Sequence, residues 1–538
     1  MFFRKKDENN SIRSVVERNT GMSAEKLMNG AENPHLHNLK ETAEMIRKYV
    51  AEHKEPYIIV VGDYDADGDT STAIMFWMFR GLGITPRLRI PKRFSEGYGM
   101  SEKIIEEFPT RDGLIITVDN GISSYNAVKM AKEKGYTVIV TDHHLPPTDE
   151  NGNLVLPPAD IILDPHIEPE KSEFEDYCGA GIAYRLAQEL LPGVNLVQLL
   201  VLASIGTVSD VMPLVGANRT LVKEGLKAIN QQKCVPGLNR IISKLRLDHI
   251  NEDDYGFTLG PIFNASGRLF DDGAMRVVEV LTSGASAPGI EEKADKLIDV
   301  NNVRKGLVRE GVKLAETLVT SRRPIVIYHE SFHEGIIGII AGHLNEKYGC
   351  PVIVFTNAEG DVLKGSGRSS TIHLKDALDT IRDTSAQSPF VGYGGHAGAA
   401  GLSIKKEWLE YFTTAFAAVC GDEGIEEKQI EYDIDIGENP SYYDITEELK
   451  QFAPYGEGNP KILFHKTFDT TQGQYRAIGD GTHFMVRMPD ITLMGFGLKE
   501  KYEAAGMPAK IECVGHIVEN WYNNNVSYNF EIVDFHAA

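Results

Sequence analysis

Between residues 34 and 163 the chain alternates helical spacing with short β-branched runs, and the first three of those runs lead straight into acids and histidines. Leu36, Leu39, Ala43, Ile46 and Val50 recur at helical intervals; Tyr57 to Val61 then forms an unbroken apolar run that stops at Gly62. A run with no polar alternation is buried on both faces, as strands of a parallel sheet are. The spacing predicts a helix over Thr70 to Leu82, and further strands at Leu114 to Val118, Thr137 to Thr141 and Ile161 to Leu163. Strand and helix in regular alternation specify an α/β layer built on a parallel sheet.

The pattern then changes twice. Leu196 to Val208 reads as a helix, and Ile290 to Thr320 is a long charged helical stretch with few breakers, the kind of element that links two domains. Beyond a boundary near Ser321, strand Ile325 to Tyr328, helix Gly335 to Tyr348 and strand Val352 to Phe355 make a second, smaller α/β unit that closes on the glycine-rich run Gly392 to Gly401. Past Glu427, alternating segments at Tyr432 to Ile436, His483 to Met488 and Ile511 to Val518, with turn clusters at Gly479-Asp480-Gly481 and Asn523 to Asn525, predict a small β-barrel or sandwich. The expected division is 1–285, 286–322, 323–426 and 427–538, in keeping with three to four domains for a chain of 538 residues.

Asp63, Asp65 and Asp67 follow the first strand, Asp119 the second, and Asp142, His143 and His144 the third. Carboxyl ends of parallel strands form the edge where ligands bind, so these residues should converge there, with Asp210 at a helix end as a further candidate. A single Asp after a strand is ordinarily a helix cap or turn former, and Asp69 is read as such a cap. Three successive strand ends bearing Asp or His call for a cation, because crowded carboxylates repel one another. Oxygen and imidazole donors favour Mn²⁺ or Mg²⁺. The five cysteines are widely spaced and never in a C-x-x-C pair, which argues against thiolate zinc and against a disulfide framework. Two such ions sharing a bridging carboxylate stabilise both oxygens of a phosphoryl displacement, so the chemistry expected is phosphoester hydrolysis.

Val60-Val61-Gly62-Asp63-Tyr64-Asp65-Ala66-Asp67-Gly68, Val118-Asp119-Asn120-Gly121 and Thr141-Asp142-His143-His144 resemble the successive motifs of the DHH phosphoesterase superfamily. Ile205 to Leu214 and Asn264-Ala265-Ser266-Gly267-Arg268 are similar to those of its RecJ-like single-strand-specific exonucleases. His333 to Ile339, Gly365-Ser366-Gly367-Arg368-Ser369 and Gly394 to Gly401 resemble the DHH-associated domain, and Pro454 to Pro460 with Asn520-Trp521 resemble that family's OB-fold module. The resemblance runs over residues 35 to 538. It implies a parallel-sheet DHH domain, a long linking helix, a DHH-associated domain and a C-terminal OB-fold β-barrel. It further implies that Asp65 and Asp67 bind metal, that Asp119 bridges two ions, that His143 and Asp210 complete the second site, and that His144 contacts the scissile phosphate. Catalysis would then rest on Asp65, Asp119 and His144. In this pattern Asp63 lies outside the D-x-D pair, Val61 stands where the superfamily often has histidine, and Asp69 occupies a position usually apolar or small.

The formal charge of −22 excludes binding of nucleic acid by bulk charge, so a polyanion must be held locally. Arg93, Arg268, Ser366, Arg368 and His396 are the candidates; arginine's planar fork suits a terminal phosphate, and consecutive glycine amides can form an anion-binding nest. The resemblance implies a preference for 5′-phosphorylated ends and a 5′-to-3′ exonuclease acting on single-stranded DNA in repair and recombination, with single-strand-binding and repair proteins as candidate partners. No motif separates DNA from RNA. A DHH-type phosphodiesterase acting on short RNA or dinucleotides, and a non-catalytic replication or repair scaffold of the same fold, are the alternatives. No run is apolar enough to span a bilayer and Met1 to Asn10 lacks a signal-peptide core, so a soluble, cytoplasmic protein without membrane contact is expected.

Overall fold

The structure, a computed structural model, describes residues 3–31, 33–320, 323–421, 429–479, 481–522 and 525–538. The expected turn residues Asp480, Asn523 and Asn524 and the boundaries at Ser321 and Glu427 lie outside these. Two compact units are formed, one from Met1–Gly267, Asp271–Asp295 and Gln429–Ala538, the other from Arg268–Phe270 and Lys296–Lys428.

The first unit is organised by a five-stranded, all-parallel sheet in the order Arg87–Arg89, Ile58–Val61, Gly113–Val118, Tyr136–Thr141, Ile161–Leu163. Ile58 to Val61 are buried on both faces, as are Gly113 to Val118. The edge strand Arg87–Arg89 is too short and polar to be read from its sequence. After Ile58–Val61 the chain builds outward to one edge and then returns to build toward the other, which puts the switch point at the carboxyl ends of the two central strands.

The helix Ala66–Gly81 begins four residues earlier than its apolar spacing suggests, because Asp65 is its cap and accepts from the amides of Asp67 and Gly68. Asp69, expected to be the cap, instead lies inside the first turn, fully buried, with neither carboxylate oxygen bonded. Gly179–Leu190 and Val197–Ser209 pack on this helix.

The C-terminal part of this unit carries a seven-stranded sheet in the order Ile434–Asp435, Phe464–Asp469, Lys510–Tyr522, Asn525–Ala537, Thr492–Gly495, His483–Arg487, Gln474–Ile478. Its core holds Phe464, Phe468, Phe484, Phe530 and Phe535, and also Ile12, Val15, Val16, Ala24 and Leu27 from two short N-terminal helices. Phe3–Lys5 pairs in parallel with Ile430–Tyr432. Arg219, almost fully buried, binds this part to the part that holds the parallel sheet: its guanidinium donates to the carbonyls of Leu27, Phe452, Ala453 and Pro454 at 2.8–3.3 Å. Those of Phe452 and its successors lie at the negative end of the helix Tyr442–Phe452, where a cation is favoured. Among the described residues all five cysteines are free, and no helix is long and apolar enough to cross a membrane.

The second unit contains a five-stranded mixed sheet in the order Phe390–Gly395, Ala399–Lys405, Val362–Arg368, Val352–Asn357, Ile325–Tyr328. Only the last pair is parallel. The glycine run expected to form a nest is an antiparallel hairpin, with Gly394 opposite Gly401. Its glycines occupy places in a ladder whose side chains alternate. The helix Ile290–Leu318 begins in the first unit and continues into the second, where Val308 and Ala315 join the core.

Candidate metal centre

Seven of the sequence-selected residues meet at the carboxyl edge of the parallel sheet. Nε2 of His143 lies 3.1 Å from Asp119 Oδ1, 3.6 Å from Asp210 Oδ2 and 3.8 Å from Asp67 Oδ2. Ligand atoms of Asp67, His143 and Asp210 all fall within 4.8 Å of one another, as do those of Asp63, Asp65 and Asp119, and those of Asp119, His143 and His144. Asp63, left outside the D-x-D pair, therefore joins Asp65 and Asp119, while Asp67 turns toward His143 and Asp210.

Local structure fixes each side chain. Both oxygens of Asp67 accept backbone amides from the N-terminus of the helix Gly179–Leu190, from Gly179 at 2.7 Å and Ala180 at 2.9 Å, so a helix dipole holds this carboxylate. Asp119 adopts a left-handed backbone, φ 61°, unusual for a residue other than glycine and the kind of strain that gathers at functional sites. Glycines permit the close approach: a Cβ on Gly206 would stand 2.7 Å from Asp67 Oδ1, and one on Gly68 would stand 2.4 Å from the Asp63 carbonyl oxygen. Asp210 is the residue after the helix Val197–Ser209.

The electrostatics are those of a site made for cations. Burial, and then repulsion from Asp67 and Asp65, raises the Asp119 carboxyl well above its ordinary range. Burial and Asp65 do the same to Asp63, and burial with Asp67 brings Asp210 up to about 8. Burial lowers the pKa of His143, leaving a neutral ring whose buried Nε2 has no hydrogen-bond partner, since the 3.1 Å approach to Asp119 lacks hydrogen-bond direction. A neutral imidazole and several carboxyl groups that repel one another when ionised fit a divalent ion bound by oxygen and nitrogen.

His144 stands apart from these ligands in its chemistry. Burial opposes its charge, yet the 2.7 Å bond from Nδ1 to Asp142 Oδ1 and the carboxylates around it push its pKa up to about 9. Asp142, buried, is held by the amides of Ile122, His143 and His144. Tyr98, given no role by sequence, places its hydroxyl 3.2 Å from His144 Nδ1 and 3.3 Å from the Asp119 carbonyl oxygen. Its one sequence signal is its place in Glu96-Gly97-Tyr98-Gly99, close after Arg93.

Arg93 stacks over Tyr64 with its guanidinium carbon 4.5 Å from the ring centroid, and its charge bears on Asp63. In the second unit, Arg268 donates to the Gly335 carbonyl at 3.4 Å. Arg368 donates to its neighbour Gly367 and reaches Ser366 Oγ at 3.4 Å. Burial lowers the pKa of Arg368, and no carboxylate among the described residues pairs with it. A Cβ on Gly338 would meet both Ser366 Oγ, at 2.9 Å, and Arg368, at 3.2 Å, so the three share one small concavity. His396 is exposed in the hairpin turn, beside Ala399, which pairs with Arg368.

Comparison with known proteins adds three domain matches: residues 57–207 match the DHH family N-terminal domain, 321–422 the DHHA1 domain and 432–534 the RecJ OB domain. The single-stranded-DNA-specific exonuclease RecJ of Escherichia coli (strain K12) is 34% identical over 475 residues, covering 83% of this chain and 80% of that protein. The same-named protein of Dickeya dadantii (strain 3937) is 33% identical over 474 residues, with the same coverage. The crystal structure of RecJ in complex with Mn²⁺ from Thermus thermophilus superposes with a TM-score of 0.82 at 25% identity, covering 100% of this chain and 80% of that one.

Proposed function

The chain belongs to the RecJ family of single-stranded-DNA-specific exonucleases, and from that premise we propose that it is a Mn²⁺- or Mg²⁺-dependent hydrolase that removes nucleotides from the 5′ end of single-stranded DNA. The observation that carries this is the convergence of His143 Nε2 on Asp67, Asp119 and Asp210 at the sheet edge, in a chain whose relatives are named single-stranded-DNA-specific exonucleases.

Asp65, Asp67, Asp119, His143 and Asp210 would hold two ions, with Asp119 between them. When bound, the ions supply Lewis-acid charge to the phosphate and to the attacking and leaving oxygens. The rest of the work falls to the chain. Asp142 keeps a proton on His144 Nδ1, so that the charged ring neutralises a non-bridging oxygen of the scissile phosphate. In the second unit Arg268, Ser366 and Arg368 would bind the terminal 5′-phosphate and His396 another part of the substrate, and in the first unit Arg93 is a further phosphate ligand; an arginine already stripped of water and lacking a carboxylate loses little by pairing with a phosphate. Residues 1–285 carry the chemistry, 323–426 the end recognition and 427–538 the grip on the strand, and single-strand-binding or repair proteins would present the substrate.

Digestion of 5′- and 3′-labelled oligomers, single-stranded and duplex, DNA and RNA, with and without 5′-phosphate and across Mn²⁺ and Mg²⁺ titrations, tests this. Release of 5′-terminal mononucleotides from single-stranded DNA, lost in Asp119→Ala, is expected. Equal attack on duplex, or digestion from the 3′ end alone, overturns it.

A further inference from the structure

We propose that Tyr98 is the positioning residue for His144 and that its exposed ring carries the nucleotide next to the cleaved bond. The loop that presents it is built for one placement. Gly97 and Gly99 on either side are both left-handed, φ 84° and 69°, and the following amide of Met100 donates to Asn120 Oδ1, whose Nδ2 is bound to the carbonyls of Val61 and Val118. The loop is thereby pinned to the ends of the two central strands, beside Asp119.

The hydroxyl lies 3.2 Å from Nδ1 and 3.3 Å from Nε2 of His144. Nδ1 is already bonded to Asp142, and an oxygen nearly equidistant from both ring nitrogens lies along neither N–H direction. The phenol therefore donates its proton to the Asp119 carbonyl at 3.3 Å and turns its lone pairs to the Cε1 edge of the imidazole, between the two nitrogens, with the rings edge to face at 77°. Asp142 fixes one nitrogen, which leaves the ring free to swing about that bond; Tyr98 removes the swing. Its own ring is 45% exposed, and Tyr64 closes its other side edge to face, with Arg93 over Tyr64 in turn. A flat aromatic surface leading from the cleavage residue to a guanidinium suits a sugar or base whose phosphates lie on either side.

This rests on the role given to His144 above, so three variants are compared on a 5′-phosphorylated oligomer: His144→Ala, Tyr98→Phe and Tyr98→Ala. Tyr98→Phe should lower kcat about tenfold with KM unchanged, since only orientation is lost. Tyr98→Ala should show the same fall in kcat and a KM about tenfold higher, since the stacking surface is also gone. Both should keep the melting temperature and Mn²⁺ affinity of the parent, and a crystal of metal-free Tyr98→Phe should show the His144 ring turned or in two positions. An inactive His144→Ala beside a fully active Tyr98→Phe overturns the Tyr98 proposal alone. An active His144→Ala overturns the role of His144 itself. Loss of folding or of metal affinity in Tyr98→Phe overturns positioning in favour of a structural hydroxyl.

Discussion

Gly179 and Asp119 lie so close that a Cβ on the glycine would stand 2.5 Å from the aspartate Cβ and 2.9 Å from its Cα. The same glycine donates its amide to Asp67 Oδ2. One methyl group added there must displace either carboxylate or the helix that starts at this residue. Gly179→Ala should therefore weaken Mn²⁺ binding about 10- to 100-fold, measured by titration calorimetry, with a stability cost of about 1–3 kcal/mol by chemical denaturation.

Asp142→Asn should release the proton of His144. In the metal-free protein the wild-type ring stays charged up to about 9, because Asp142 outweighs burial. Its contribution to stability is complete below the ordinary histidine range and is lost as pH rises through 9. With an amide in place of the carboxylate, only the more distant Asp210 and Asp63 oppose burial, and the titration moves downward. Nitrogen-detected NMR of labelled histidines in the metal-free protein reads both values.

Asp69→Ala should stabilise the fold. Burial, reinforced by Asp65 and Asp63, holds the Asp69 carboxyl well above its ordinary pKa, and neither oxygen has a partner. An acid raised on folding costs stability progressively once pH exceeds its unfolded value near 4. The gain should be on the order of 1–3 kcal/mol at neutral pH and smaller at pH 4, read from urea denaturation at the two pH values.

Arg368→Lys should lower the preference for phosphorylated ends. A point charge in place of a planar fork keeps attraction and loses the paired geometry. The ratio of kcat/KM for 5′-phosphorylated over 5′-hydroxyl oligomers should fall about tenfold, and an unchanged ratio would move end recognition elsewhere.

What was legible in the chain is what covalent neighbours decide. The strand Gly113–Val118 and the carboxylate after it are contiguous, so both the buried run and its acidic end can be read together. The cap of the next helix was misplaced because Asp65 and Asp69 are chemically alike and lie one turn apart; only the amides that point at Asp65 distinguish them. Asp63 is legible as an acid at the sheet edge, but its place beside Asp65 and Asp119, like that of Tyr98 beside His144, is a distance across space that the sequence does not display. The hairpin at Gly394 and Gly401 was hidden for another reason: glycine has no side chain to display the alternation of a strand.

The N-terminal helices that share a core with Phe464 and Phe530 carry a consequence for biosynthesis. On the ribosome, Ile12, Val15 and Leu27 emerge long before Phe464 and Phe530, the residues that must cover them. The parallel-sheet layer has all its strands long before then and can close early. Nascent chains stalled before residue 464 should accordingly hold the segment around Ile12 to Leu27 unburied and open to protease, and chains stalled after Phe535 has emerged should shield it.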